Sequence, residues 1–115
     1  MRKKKVKIPI FHGEILMIQT ENYEYIEKNY AAKGYSLFGY DGAVMEQVAD
    51  NGYVRYIVWF DEGVTHKVVV HEALHLLHHI FKHRGIEYSM ENDEHAAYML
   101  EWIFEQCDNF LFSNK

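Results

Sequence analysis

His71-Glu72-Ala73-Leu74-His75, an H-E-x-x-H sequence, lies inside His66–His83 (HKVVVHEALHLLHHIFKH), and the fold turns on how that stretch is read. Its apolar residues Val69, Val70, Ala73, Leu74, Leu76, Leu77, Ile80 and Phe81 recur with a helical period on one side, which predicts an amphipathic helix. Thr65 is a candidate N-cap, and Arg84-Gly85 closes the segment with a basic last turn and a glycine. Residues four apart drift by only about 40° around a helix, so the rings of His71 and His75 share a face and can reach one metal ion. Neutral imidazoles suit zinc, and a catalytic zinc takes three protein ligands and leaves its fourth position to water. Glu72 is then placed to take a proton from a water molecule that attacks a carbonyl. The bland alternative is a wet surface, although a solvated helix face more commonly uses Lys, Glu or Arg.

Working outward, Lys5–Phe11 and Glu14–Gln19 read as short strands separated by His12-Gly13. Thr20-Glu21-Asn22 supplies caps for a helix over Tyr23–Lys33, stopped by Gly34. The pattern from Tyr35 to Gln47 is mixed, with a turn at Asp41-Gly42. Asp50-Asn51-Gly52 carries a hairpin signal, and Tyr53–Phe60 (YVRYIVWF) is rich in aromatic and β-branched residues and reads as a strand. After the histidine-bearing helix, Ile86–Met90 is a connector. Ser89, Asn92 and Asp93 are candidate caps for a last helix reaching Phe112.

At 115 residues the chain has room for one domain, residues 1–115, and a composition of 49% hydrophobic and 25% charged residues excludes a disordered or collagen-like chain. The formal net charge of -5 argues against bulk nucleic-acid binding. The locally basic residues 1–5 are expected to be a solvated or mobile terminus. Pro9, His12, Gly13 and Glu14 interrupt the apolar stretch after them, so no signal peptide is expected, and no run is long enough to span a membrane. The single cysteine, Cys107, cannot form an internal disulfide; a reducing, cytoplasmic setting and a core position are expected for it.

Of the eight histidines, all but His12 fall between His66 and His95. A third ligand decides what they mean. The position where metzincins, and also RNA-processing metalloendonucleases with an H-x-x-x-H-x-x-x-x-x-H motif, carry a further histidine is Phe81. The metzincin glycine position is His78, so neither pattern fits. A carboxylate from the next helix does fit. Glu94, in Asn92-Asp93-Glu94-His95-Ala96-Ala97-Tyr98, opens that helix after a short connector.

On these residues the chain resembles the gluzincins, in which glutamate from the following helix completes H-E-x-x-H. More closely, His71–Phe104 resembles the small zincin-like metallopeptidases encoded by bacteriophages, through H-E-x-x-H, the Arg84-Gly85-Ile86 turn and the E-x-A-A-Y motif of Glu94–Tyr98. The likeness covers roughly the C-terminal 45 residues by motif and the remainder by order of elements. It implies a minimal α+β domain, with a small, mostly antiparallel sheet of three to five strands packed on the H-E-x-x-H helix and a C-terminal helix. A short helix near residues 21–33 completes it.

The resemblance also implies a zinc-dependent peptidase of phage or bacterial origin. His71, His75 and Glu94 would be ligands and Glu72 the general base, and Tyr98 would support a ligand or donate to the oxyanion. Its partner would be a protein or peptide substrate. Strand Tyr53–Phe60 stands where related folds place an edge strand that an extended peptide can join.

Several alternatives stay open. Asp93 or Glu91 replaces Glu94 if the groove lies elsewhere, because the apolar arc of the last helix contains Asp93 and excludes Glu94. Tyr98 reads equally as a half-buried aromatic beside Trp102, and His95 and His66 read as surface residues. The whole domain could be a catalytically idle scaffold for binding or assembly, acting with a protein partner or as a homo-oligomer. A metal-dependent nuclease fits the charge and Phe81 less well.

Overall fold

A computed structural model describes residues 1–87 and 89–113, with Asn92 described for its backbone alone. Tyr88, in the expected connector, and the capping role expected of the Asn92 side chain lie outside the described residues. Among the described residues the chain forms strands β1 (Arg2–Lys7), β2 (Glu14–Gln19), β3 (Gly42–Val48) and β4 (Val54–Phe60). The helices are α1 (Tyr23–Tyr30), α2 (His66–His83) and α3 (Asp93–Phe112), with a 3-10 turn at Met90–Asn92. The strands form one sheet in the order β1-β2-β4-β3, in which β2 and β4 are parallel and the other two pairs antiparallel. The architecture is α+β, as expected, with a mixed sheet.

Period-two alternation sends neighbouring side chains of β2 and β4 to opposite faces of the sheet. Ile15, Met17, Tyr56, Val58 and Phe60 meet α2 and α3, whose Leu76, Leu77, Ile80, Met99 and Ile103 complete the larger core. Leu16, Ile18, Ile57 and Trp59 meet Ile26 of α1 and Leu37 on the other face. A strand clothed on both faces reads as a continuous apolar run, and β4 from Tyr56 to Phe60 is fully buried.

That burial corrects one expectation: β4 is an interior strand, and the edge beside the H-E-x-x-H helix is β3. The Asp50-Asn51-Gly52 turn folds β3 back along β4, with Gly52 at φ +87° and the Tyr53 N–H donating to Asn51 Oδ1 at 3.0 Å. The basic N-terminal run is paired along its length with β2 while most of its side chains stay in solvent. Lysines along an outer strand discourage another chain from pairing there.

Helix ends follow local chemistry. Asn22 caps α1 by accepting from the Tyr25 N–H at 3.1 Å. That helix stops at Tyr30, short of the expected Lys33, because Ala31 is already extended. α2 has the expected bounds, but the Thr65 side chain makes no cap bond; its carbonyl accepts from the Val68 and Val69 N–H groups at 3.0 and 3.2 Å. α3 reaches Phe112 as expected. Cys107 lies in the core, and burial, followed by the charge of Asp108, pushes its thiol up to about 12.

Candidate functional site

The edge strand β3 lies over α2. Ala43 and Met45 join the smaller core, while Val44 packs on the larger one, so Gly42, Val44 and Glu46 share the face toward α2. Gly42 permits a close approach. A Cβ built there would stand 3.1 Å from Glu72 Cγ and 3.2 Å from Val68 Cγ1. The missing side chain gives Glu72 its place under the strand, where it is 6% exposed. Glu72 and His71 open into a hollow of about 430 Å³ whose walls include Tyr40, Asp41, Gly42 and Lys67.

Burial pushes the Glu72 carboxyl above the ordinary range, and the charge of His71 draws it partly back. No hydrogen bond is made to this carboxylate among the described residues. A buried carboxylate without a fixed donor is disfavoured as an anion, and its pKa rises accordingly. A base with a raised pKa is better matched to proton transfer near neutrality.

One residue before Glu72 and three after it, His71 and His75 are exposed, with Nε2 atoms 3.1 Å apart and ring planes at 78°. At that distance one ring can donate to the other, and the separation is close to the about 3.3 Å between two nitrogens that share a tetrahedral zinc at about 2.05 Å. Partial burial of the His75 ring, then the neighbouring His71, His78 and His79, hold it below the ordinary histidine range. The neutral form thus favoured is the one that ligates a metal.

The remaining expected site residues are not gathered with this pair. Glu94 is exposed in the first turn of α3, as are Asp93 and, in the preceding turn, Glu91. Among the described residues no three His, Cys, Asp or Glu side chains stand together so as to hold a metal ion. The reason is the seam between the last two helices. Leu74, Leu77 and His78 face Ala96, Ala97 and Leu100, while Val70 and Ala73 face Ala97, Glu101 and Phe104. This antiparallel register sets the start of α3 toward the far end of α2 from His71.

Tyr98, 66% exposed, lines a separate hollow of about 300 Å³ with Pro9, Ile10, His95, Met99 and Trp102. The two hollows share no lining residue. His66 pairs with Asp108 at 3.2 Å and stacks on Phe112, tying the start of α2 to the end of α3.

One polar cluster was not foreseen. On the same face of α2, His79 Nδ1 and His83 Nε2 bond the two carboxylate oxygens of Glu46 on β3. Burial alone would raise the Glu46 pKa, but the hydrogen bonds from the two rings outweigh it and hold the carboxyl below its ordinary range. The i, i+4 spacing of His79 and His83 was visible in the sequence; their acceptor across the fold was not.

Comparison with protein-family models, with curated proteins and with solved structures returns no match.

Proposed function

We propose that the chain is a zinc-dependent hydrolase of the zincin kind that cleaves peptide bonds. The observation that carries this reading is the placing of the Glu72 side chain, 6% exposed, without a hydrogen bond among the described residues and opening into the hollow, beside two imidazole nitrogens 3.1 Å apart on the same turn of helix. A structural pair would have little use for a carboxylate held in reserve beside it. Zinc, when bound, lowers the pKa of water and polarises a carbonyl.

The protein's own residues supply the rest. His71 and His75 would hold the ion, and a carboxylate from the start of α3, with Glu94 the first choice over Asp93 and Glu91, would complete the set. Glu72 Oε takes the proton of the attacking water and delivers it to the leaving amine; its raised pKa suits both directions of transfer. The open side of β3 offers backbone groups, unpaired among the described residues, that an extended peptide can join. Tyr98 lies in another hollow, so its proposed role as an oxyanion donor requires the substrate to bridge from one to the other. A buried lone thiol suits a cytoplasmic setting, and no described helix is long and apolar enough to cross a membrane.

The test is metal content with activity. About one zinc per chain is expected by elemental analysis, with occupancy lost in His71→Ala. Glu72→Gln should keep its metal and lose hydrolysis of a peptide library. A zinc-edge anomalous map should place the ion on His71 and His75 with one carboxylate from the α3 start. Full activity in Glu72→Gln, or an ion bound elsewhere, overturns the proposal.

A second reading is favoured by the ungathered third ligand: the same scaffold acting as a binding or assembly protein, with a protein partner or a second copy. Partner binding that survives Glu72→Gln in a protein without hydrolytic activity supports it.

A further inference from the structure

We propose that the β1–β2 turn and the outer side of α3 form a contact between two copies of this chain, in which Ile10 of each copy fills the apolar hollow beside Tyr98 and Trp102 of the other. The inference concerns assembly and stands independently of hydrolysis.

Pro9, Ile10 and Phe11 reverse the chain in three residues. The Phe11 N–H donates to the Pro9 carbonyl at 2.7 Å, and Ile10 between them stands at φ +72°, the one non-glycine residue with a positive φ among those described. A γ-turn of this hand is the rare, strained kind, and a β-branched side chain aggravates it. Glycine or asparagine would hold the same turn more easily. Ile10 gains no burial in return, since it is 90% exposed. A branched apolar side chain held out on a strained turn gives a lone molecule nothing. Set against a second surface, it takes its apolar area out of water.

The matching surface lies beside it. Tyr98, Met99 and Trp102 of α3 line the hollow of about 300 Å³, with Pro9 and Ile10 on its other side. An apolar knob next to an apolar hole is self-complementary, because a two-fold axis between them sets each knob in the other copy's hole. The charges divide in the same way. β1, which leads into the turn, carries exposed Lys4, Lys5 and Lys7, whereas exposed Glu101 and Glu105 follow Tyr98 along one face of α3. The two-fold pairing turns the basic strand of one copy toward the acidic helix face of the other. The chain also has surface to spare. Its accessible area is 7375 Å², against about 6600 Å² for a compact monomer of 13.7 kDa. The excess of about 800 Å² is what each partner buries in an interface of standard size. The hollow beside Glu72 shares no lining residue with this face and stays open in such a dimer. Tyr98 is covered, so this contact and an oxyanion role for Tyr98 exclude one another.

Sedimentation velocity of the zinc-free full chain, from about 1 to about 100 µM, tests this contact. The expected result is a reversible dimer of twice the 13.7 kDa chain mass. Ile10→Asp should weaken it about 30-fold or more, as the loss of a central apolar anchor does. Aspartate tolerates a positive φ, so circular dichroism of this variant should show an intact fold. Tyr98→Asp removes the other side of the same contact at an exposed position and should act alike. Val70→Asp, on the separate apolar seam between α2 and α3, should leave the dimer intact. A native chain that stays monomeric to about 100 µM overturns the proposal and leaves the hollow to a different protein or a small molecule. A dimer that survives both Ile10→Asp and Tyr98→Asp, or that only Val70→Asp dissolves, overturns it by moving the contact elsewhere. Neither zinc nor peptide enters the measurement, so its failure is separate from that of the proposed hydrolysis.

Discussion

The two halves of α2 carry the same residue types in opposite states of satisfaction. In the first half, His71 and His75 face solvent and Glu72 is buried without a hydrogen bond among the described residues, its pKa raised. In the second half, His79 and His83 share one carboxylate, Glu46, whose pKa is lowered. A polar group whose partners are provided by the fold contributes to stability. One that is buried and left without a partner costs stability, and persists where something other than folding uses it. The contrast lies within one helix under one strand, so a difference in secondary structure does not explain it.

The largest effect should come from removing the feature that both halves share, the close approach of β3. Gly42→Val would place branched carbons against Glu72, Val68 and the Trp59 carbonyl, and a destabilisation of about 2–3 kcal/mol is expected by urea denaturation. An unchanged midpoint would show that β3 and α2 have slack between them.

Next comes Glu46→Ala, which leaves two partly buried imidazoles without their acceptor and should cost about 1–2 kcal/mol near pH 6. Glu72→Gln should do the reverse. Exchanging a disfavoured buried anion for a neutral amide is expected to stabilise the metal-free protein by about 1 kcal/mol, roughly 4 °C in melting temperature. Loss of stability in both glutamate variants would erase the distinction between the two halves.

The sequence made the helices far more legible than their neighbours in space. α2 was readable to the residue, because its apolar period is sustained and Arg84-Gly85 ends it. The H-E-x-x-H geometry followed from helical pitch alone. β3 was hidden for a physical reason: its Ala43 and Met45 are buried on one face and Gly42 faces the helix on the other, so no alternation of apolar and polar residues marks it as a strand. Nothing local marks Glu46, since pairing with His79 and His83 requires contacts more than thirty residues apart in sequence. The same limit applies to Glu94. Spacing put it on the next helix, but its height along α2 depends on how Leu74, Leu77 and His78 mesh with Ala96, Ala97 and Leu100, which no local pattern encodes.

The smallest effect is also the most discriminating, because the two halves should respond to acid with opposite signs. Stability rises with pH wherever the unfolded chain binds more protons than the folded one. Glu46 has a lowered folded pKa, so its contribution is present above the unfolded carboxylate value of about 4.3 and is lost as pH falls through the folded value. Glu14 behaves alike; burial raises its pKa, but hydrogen bonds from Arg55 and Tyr53 outweigh that. Glu72 runs the other way, since its raised folded pKa means that protonation relieves a cost as pH falls. In unfolding free energies measured between pH 3 and pH 6, Glu46→Gln should therefore make the dependence on pH shallower, and Glu72→Gln should make it steeper. If both variants shift the slope in one direction, the two carboxylates occupy equivalent environments, and Glu72 loses the feature that separates a reserved base from a structural acid.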